Sequence, residues 1–334
     1  MASAIVPRYK ETRAWSWARR SWIGGPVRAF RSLPREFFGW AKRLDLAVPD
    51  VACLDHGIAA LSNRCSLVAD EIPDTEAPIF LLSTGWRAGS TLLQRILVTD
   101  QQLLVWGEPF GEMTPISRIA RMVADSLSPR DLQLWYKQSD ATLASLTTSW
   151  IATLSPPGDD FRSGLRSLFV RWLGDPARRL GFGRWGLKEV RLGAAEASLL
   201  HWLFPQAKFI FLSRHPYDCY RSFSDSGWGH LYCRHPEVCV DSIAGFARHW
   251  NRLALSWSEL PQGFPYVHIR YEDMTSGKVD FRHLESWLGI QIREDRALSA
   301  SIGGTAVRSR INWFERFIIS REASQGMRVL GYSR

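Results

Sequence analysis

The sequence predicts an α/β protein, a three-layer sandwich in which a central parallel sheet carries helices on both faces. Three stretches predict it. Residues 79–97, IFLLSTGWRAGSTLLQRIL, run from an apolar strand through a glycine-bearing loop into Leu92, Leu93, Ile96 and Leu97 at helical spacing. Residues 209–222, FIFLSRHPYDCYRS, are an apolar strand followed by Arg214, Pro216 and Ser222. Residues 266–273, YVHIRYED, are a further strand ending in polar residues, and another strand is expected near Leu187. Strands separated by helical patterns are the arrangement that builds a parallel sheet with crossover helices.

Taken in order, the chain begins with a stretch unlike the rest. Residues 1–75 form a basic, aromatic-rich segment and linker, and 76–334 a single large domain; 334 residues, 46% of them hydrophobic, suffice for a full core. Ten Lys or Arg stand against three Asp or Glu in residues 1–45, so most of the net charge of +9 resides there. Phe30, Leu33, Phe37, Trp40 and Leu44 recur every three or four residues between arginines and lysines, which predicts a basic amphipathic helix over 28–44. Such a stripe packs on the catalytic domain or a second subunit, or lies on an anionic membrane surface as a peripheral contact. Residues 70–78, with two prolines and four acids, read as the linker.

The loop after the first strand is P-loop-like. Gly85 and Gly89 allow turns that a side chain obstructs, and Ser90 and Thr91 open the helix, where free amides and the positive dipole end attract an anion. Arg87 adds positive charge. The glycines stand four apart and no lysine precedes Ser90, which argues against an ordinary ATPase or kinase. Residues 105–112, VWGEPFGE, are an apolar approach to a glycine-flanked acidic turn holding Glu108 and Glu112. Residues 114–174 read as mainly helical, with Phe161, Leu165, Leu168, Phe169 and Trp172 marking a core-facing helix. Ile243, Phe246, Trp250, Leu253 and Trp257 mark another, so these aromatics are expected in the core rather than as a platform for nucleic-acid bases.

These motifs resemble those of the sulfotransferases that use 3′-phosphoadenosine 5′-phosphosulfate. Trp86-Arg87-Ala88-Gly89-Ser90-Thr91 looks like the loop that grips the 5′-phosphosulfate, and its Trp-Arg opening is most like the carbohydrate sulfotransferases. In that family the arginine and serine matching Arg214 and Ser222 hold the 3′-phosphate. The resemblance implies that Tyr271, in the Arg-Tyr-Glu-Asp segment, lines the cofactor site, and that Lys188, in Lys188-Glu189-Val190-Arg191, stands near the transferring sulfuryl group. There Lys188 would stabilise charge on the bridging oxygen. Residues 327–332 are also similar to the carbohydrate branch, and Arg308 and Arg310 would close over the nucleotide. Sulfuryl transfer needs a base for the acceptor hydroxyl, and Glu108 and Glu112 are the candidates. Pro109 restricts Glu108 to an extended backbone, which favours it, whereas Glu112 suits the start of a following helix. Ala88 departs from the usual serine, a small change where backbone amides do the binding.

The acceptor implied is a hydroxyl on a carbohydrate, glycolipid or glycosylated metabolite, with a tyrosyl peptide or lipid alcohol as the alternative. A small-molecule kinase offers no use for the second motif at Arg214 and Ser222. No nucleic-acid partner and no metal ligand cluster are expected, the five cysteines lack paired Cys-x-x-Cys spacing, and no apolar run reaches the roughly 18 residues of a spanning helix. A cytoplasmic enzyme with free thiols is the expectation.

Overall fold

The computed structural model describes residues 50–63, 76–109, 114–125, 143–148, 158–226, 240, 242–293 and 310–333. The helix expected over 28–44, Glu112 and Arg308 lie outside them. One all-parallel sheet of order β2-β3-β1-β4-β5 holds β1 (Ile79–Ser83), β2 (Leu103–Trp106), β3 (Arg184–Glu189), β4 (Lys208–Ser213) and β5 (Tyr266–Arg270). Four of these strands are the expected ones. The fifth, β2, is the apolar approach to Glu108; it lies at the sheet edge and pairs only with β3, from Leu103↔Arg184 to Trp106↔Leu187.

Helices cover both faces, as predicted. In chain order they are α1 (Val51–Asn63), α2 (Ser90–Leu97), α3 (Pro115–Asp125), α4 (Leu143–Thr148), α5 (Gly158–Phe169), α6 (Asp175–Arg179) and α7 (Ala194–Leu203). After β4 follow α8 (Pro216–Asp225), α9 (Ile243–Ser256), α10 (Tyr271–Thr275), α11 (Phe281–Leu288), α12 (Trp313–Glu322) and α13 (Ser324–Val329). Successive side chains of β1 point to opposite faces and so bind the two layers to one sheet. Phe80 and Leu82 enter the cluster built by α1, α3, α5 and α7, while Ile79 and Leu81 enter the one built by α2 and α11. A third cluster joins Trp86 and Ala88, just past β1, to α8, α9, α12 and α13, with Phe246 and Trp250 of α9 buried as expected.

Leu54 and Leu61 of α1, in the segment before residue 76, are buried in the same cluster as Phe80. One local reading changes. Leu168 is 52% exposed, because α5 buries the stripe of Leu165 and Phe169 and residue 168 falls beside it. The helix then loosens into a π turn, Val170–Gly174, whose Leu173 carbonyl accepts a hydrogen bond from the Trp106 indole at 2.9 Å. Among the described residues no helix is long and apolar enough to cross a membrane, and Cys53 and Cys219 are free thiols.

The topology selects one place for a ligand. From β1 the chain moves to one side of the sheet, towards β2, and from its neighbour β4 to the other, towards β5. Where connections diverge in this way, a crevice opens at the carboxyl ends of the strands. The loop after β1 and Arg214 after β4 are what flank it.

Candidate active site

The loop between β1 and α2 is held in a backbone form that constrains residue type. Gly85 and Gly89 have φ of 119° and 93°, and Arg87, at 65°, is the one non-glycine residue with positive φ among those described. A left-handed arginine costs roughly 1–2 kcal/mol, which the surrounding loop must outweigh. Leu92 and Leu93 donate their amides to the Gly89 carbonyl, the first helical acceptor, so the Ser90 and Thr91 amides precede any intrahelical partner. A Cβ on Gly89 would stand 2.1 Å from Cδ2 of Tyr271, so this ring packs directly on the loop. Trp86 turns the other way, buried against Phe223 and His249, with ring centroids 6.2 and 4.9 Å away. Trp86 therefore anchors the loop from beneath and offers the crevice only its backbone.

The second motif closes on the first. Pro216 begins α8, and His215 caps it with Nδ1 accepting from the Tyr217 amide at 3.3 Å. Ser222 lies two turns along α8, where Arg87 Nε donates to its hydroxyl at 2.9 Å. Arg214 donates from Nη1 to the Arg87 carbonyl at 3.0 Å, and its guanidinium stacks 4.2 Å from the centre of the Tyr271 ring. Gly89, Tyr271, Arg214, Arg87 and Ser222 thus form one continuous surface, although 135 positions separate Arg87 from Ser222. The Arg214 Nε is buried with no hydrogen-bond partner among the described residues, so a cationic donor remains there for an anion.

The acid and the lysine stand on the β2 side of β1, with Lys188 in register with Leu81. Lys188 of β3 is buried, 6% exposed, and donates from Nζ to Glu108 Oε1 at 2.5 Å, just past the end of β2. Of the two, Glu108 is the more open partner, with 26% of its side chain exposed. Glu189, next along β3, points to the opposite face and forms a buried pair with Arg191, which donates from Nε at 3.0 Å and also from Nη2. Burial pushes the Glu189 carboxyl up, Arg191 opposes that, and the Glu108 charge adds to it, which places the two acids within electrostatic reach of one another. The sequence reading names Glu189 within the Lys188–Arg191 segment and gives it no role.

The sulfotransferase family model matches residues 78–294, about two thirds of the chain. The chain belongs to the sulfotransferase family. Among solved structures it is similar to the sulfotransferase domain of the Synechococcus PCC 7002 olefin synthase, at 19% identity and TM-score 0.37, covering 80% of this chain and all of that one. It is similar also to the sulfotransferase domain of the curacin biosynthetic pathway, at 18% identity and TM-score 0.42, covering 77% of this chain and 98% of that one. A sulfotransferase from Alicyclobacillus acidocaldarius matches at 14% identity and TM-score 0.41, covering 77% of this chain and 95% of that one. No curated protein sequence matches the chain.

In this sulfotransferase Arg87, Gly89, Arg214, Ser222 and Tyr271 form one set of contacts and Lys188 with Glu108 another, while Ser90 and Thr91 open α2 and Ala88 is buried. Glu112 belongs to 110–113, outside the described residues. Arg310 is described and exposed.

Proposed function

We propose that this sulfotransferase moves a sulfuryl group from 3′-phosphoadenosine 5′-phosphosulfate to a hydroxyl of a carbohydrate, glycolipid or glycosylated metabolite. The observation that carries the donor is the join between Arg87, Ser222 and Arg214, which supports two anionic groups held on one surface. A donor with phosphate at one end only would leave Arg214 and its unpartnered Nε without a use. The Trp86-Arg87 opening and the Lys188-x-Val190-Arg191 segment support a carbohydrate acceptor over a tyrosyl peptide or lipid alcohol.

Each residue has one task. Amides of Ser90 and Thr91, with Arg87, hold the 5′-phosphosulfate; Arg214 and Ser222 hold the 3′-phosphate; Tyr271 packs against both Gly89 and Arg214. Glu108 uses Oε2, the oxygen not given to Lys188, to take the acceptor proton. The acceptor oxygen bonds to sulfur as the bond from sulfur to the bridging phosphate oxygen breaks, and negative charge gathers on that oxygen. Once Glu108 is protonated, its attraction for Lys188 falls, and the ammonium turns to the leaving oxygen. Acid and lysine thus exchange roles in a single step.

The test is turnover itself. Incubating the protein with donor and a panel of glycans, tyrosyl peptides and lipid alcohols, read by mass spectrometry, should yield a sulfated glycan. Phosphorylated products from ATP and magnesium, with none from the sulfuryl donor, would overturn the reading.

A further inference from the structure

Glu272, the first acid of α10, binds three segments together. One oxygen, Oε1, accepts the His215 amide at 2.8 Å, immediately after Arg214. The other, Oε2, accepts the Tyr332 hydroxyl at 3.1 Å, beyond α13. That hydroxyl also lies 2.9 Å from Ser213 Oγ, the last residue of β4. Since its proton goes to Glu272, Ser213 donates to it, and Ser213 in turn accepts from His268 Nε2 at 2.8 Å on β5. The four groups form one chain of hydrogen bonds running in one direction. Burial raises the Tyr332 phenol above its ordinary range, and the Glu272 charge adds to this, so the donor keeps its proton.

Further contacts seat Tyr332. Gly331, at φ 70°, ends α13 with the Tyr332 amide bonded to the Met327 carbonyl, a left-handed cap that turns the chain back over the sheet. Arg270 stacks 4.3 Å from the Tyr332 ring centre, and His215 Nε2 donates to the Ser333 carbonyl at 2.9 Å. Four of these groups adjoin residues of the proposed nucleotide surface: Ser213 and His215 flank Arg214, while Arg270 and Glu272 flank Tyr271.

We propose that Tyr332 is a positioning residue for the nucleotide, a latch that sets the Arg214–Tyr271 stack through Ser213 and Glu272. The inference rests on the reading of Arg214 as the 3′-phosphate ligand. The latch acts on the 3′-phosphate end of the site and leaves the chemistry at Glu108 and Lys188 alone.

The test is a double-mutant cycle by calorimetry on the full chain, with 3′-phosphoadenosine 5′-phosphate and AMP as probes. Tyr332→Phe keeps the ring beneath Arg270 and removes the hydroxyl alone. It should weaken the bisphosphate about tenfold and AMP less than about twofold, and leave kcat at saturating donor within about twofold. In an Arg214→Ala background the same change should alter bisphosphate affinity by less than about twofold, because the group it positions is gone. Ser213→Ala, which removes one neighbour of the hydroxyl, should show the same pattern at about threefold, and it carries the test should Tyr332→Phe fold poorly. Equal losses for both nucleotides, or a full loss added to that of Arg214→Ala, overturn the latch alone. An Arg214→Ala protein that keeps its preference for the extra phosphate overturns the reading of Arg214 and the latch with it.

Discussion

Glu108 presents one oxygen to Lys188 and leaves the other for an acceptor, so a single atom distinguishes a base from a salt-bridge partner. Glu108→Gln keeps the shape and loses proton acceptance. Turnover should fall on the order of a hundredfold or more with nucleotide affinity within about twofold; retained turnover would remove Glu108 from the mechanism and turn attention to Glu112. Gly89 tests the surface proposed to carry the nucleotide. Gly89→Ala sets a Cβ 2.1 Å from the Tyr271 ring at a φ of 93°. It should cost about 1–3 kcal/mol in thermal stability and at least about tenfold in nucleotide affinity. A variant as stable and as tight as the parent would show that Tyr271 does not close on the loop. Gly89 and Ser90 were legible in the sequence because a left-handed turn and a helix opening each restrict residue type, whereas Arg214 was singled out only by resemblance to the family's second motif. The Glu189–Arg191 pair was not legible, since alternation sends Lys188 and Glu189 to opposite faces without saying which layer each meets, and Arg191 lies beyond the strand.

Among the elements, α1 departs furthest from expectation. Composition marks residues 1–75 as one basic segment, yet Leu54 is fully buried with Phe80 and Leu187. Charge is concentrated before residue 46, and averaging over 75 residues hides a helix whose buried positions are few. Leu54→Ala should destabilise the protein by about 2–5 kcal/mol, seen as a lower urea midpoint; a loss under about 1 kcal/mol would mean that α1 is only a surface attachment. The strand β2 was read only as an apolar, extended approach to Glu108 and not counted among the strands of the sheet. Four residues, LLVW, are too few for an alternation to register, and pairing to β3 rather than local pattern makes them a strand. Strands β1 and β4 were plain because burial on both faces demands continuous apolar runs.

For the whole molecule, strand order does what no single motif does. The divergence between β1 and β4 brings Arg87 to Ser222 and Arg214 to the Arg87 carbonyl, while Lys188, in register with Leu81 of β1, meets Glu108 past the end of β2. Under the proposed donor, sulfuryl transfer depends on holding the two anionic ends of one nucleotide while Glu108 and Lys188 act between donor and acceptor. The most direct measurement is calorimetric titration of the unmodified protein with 3′-phosphoadenosine 5′-phosphate and with AMP. A charged hydrogen bond contributes about 1.5–3 kcal/mol, so the bisphosphate should bind at least about tenfold more tightly. Equal affinity for the two nucleotides would contradict the account.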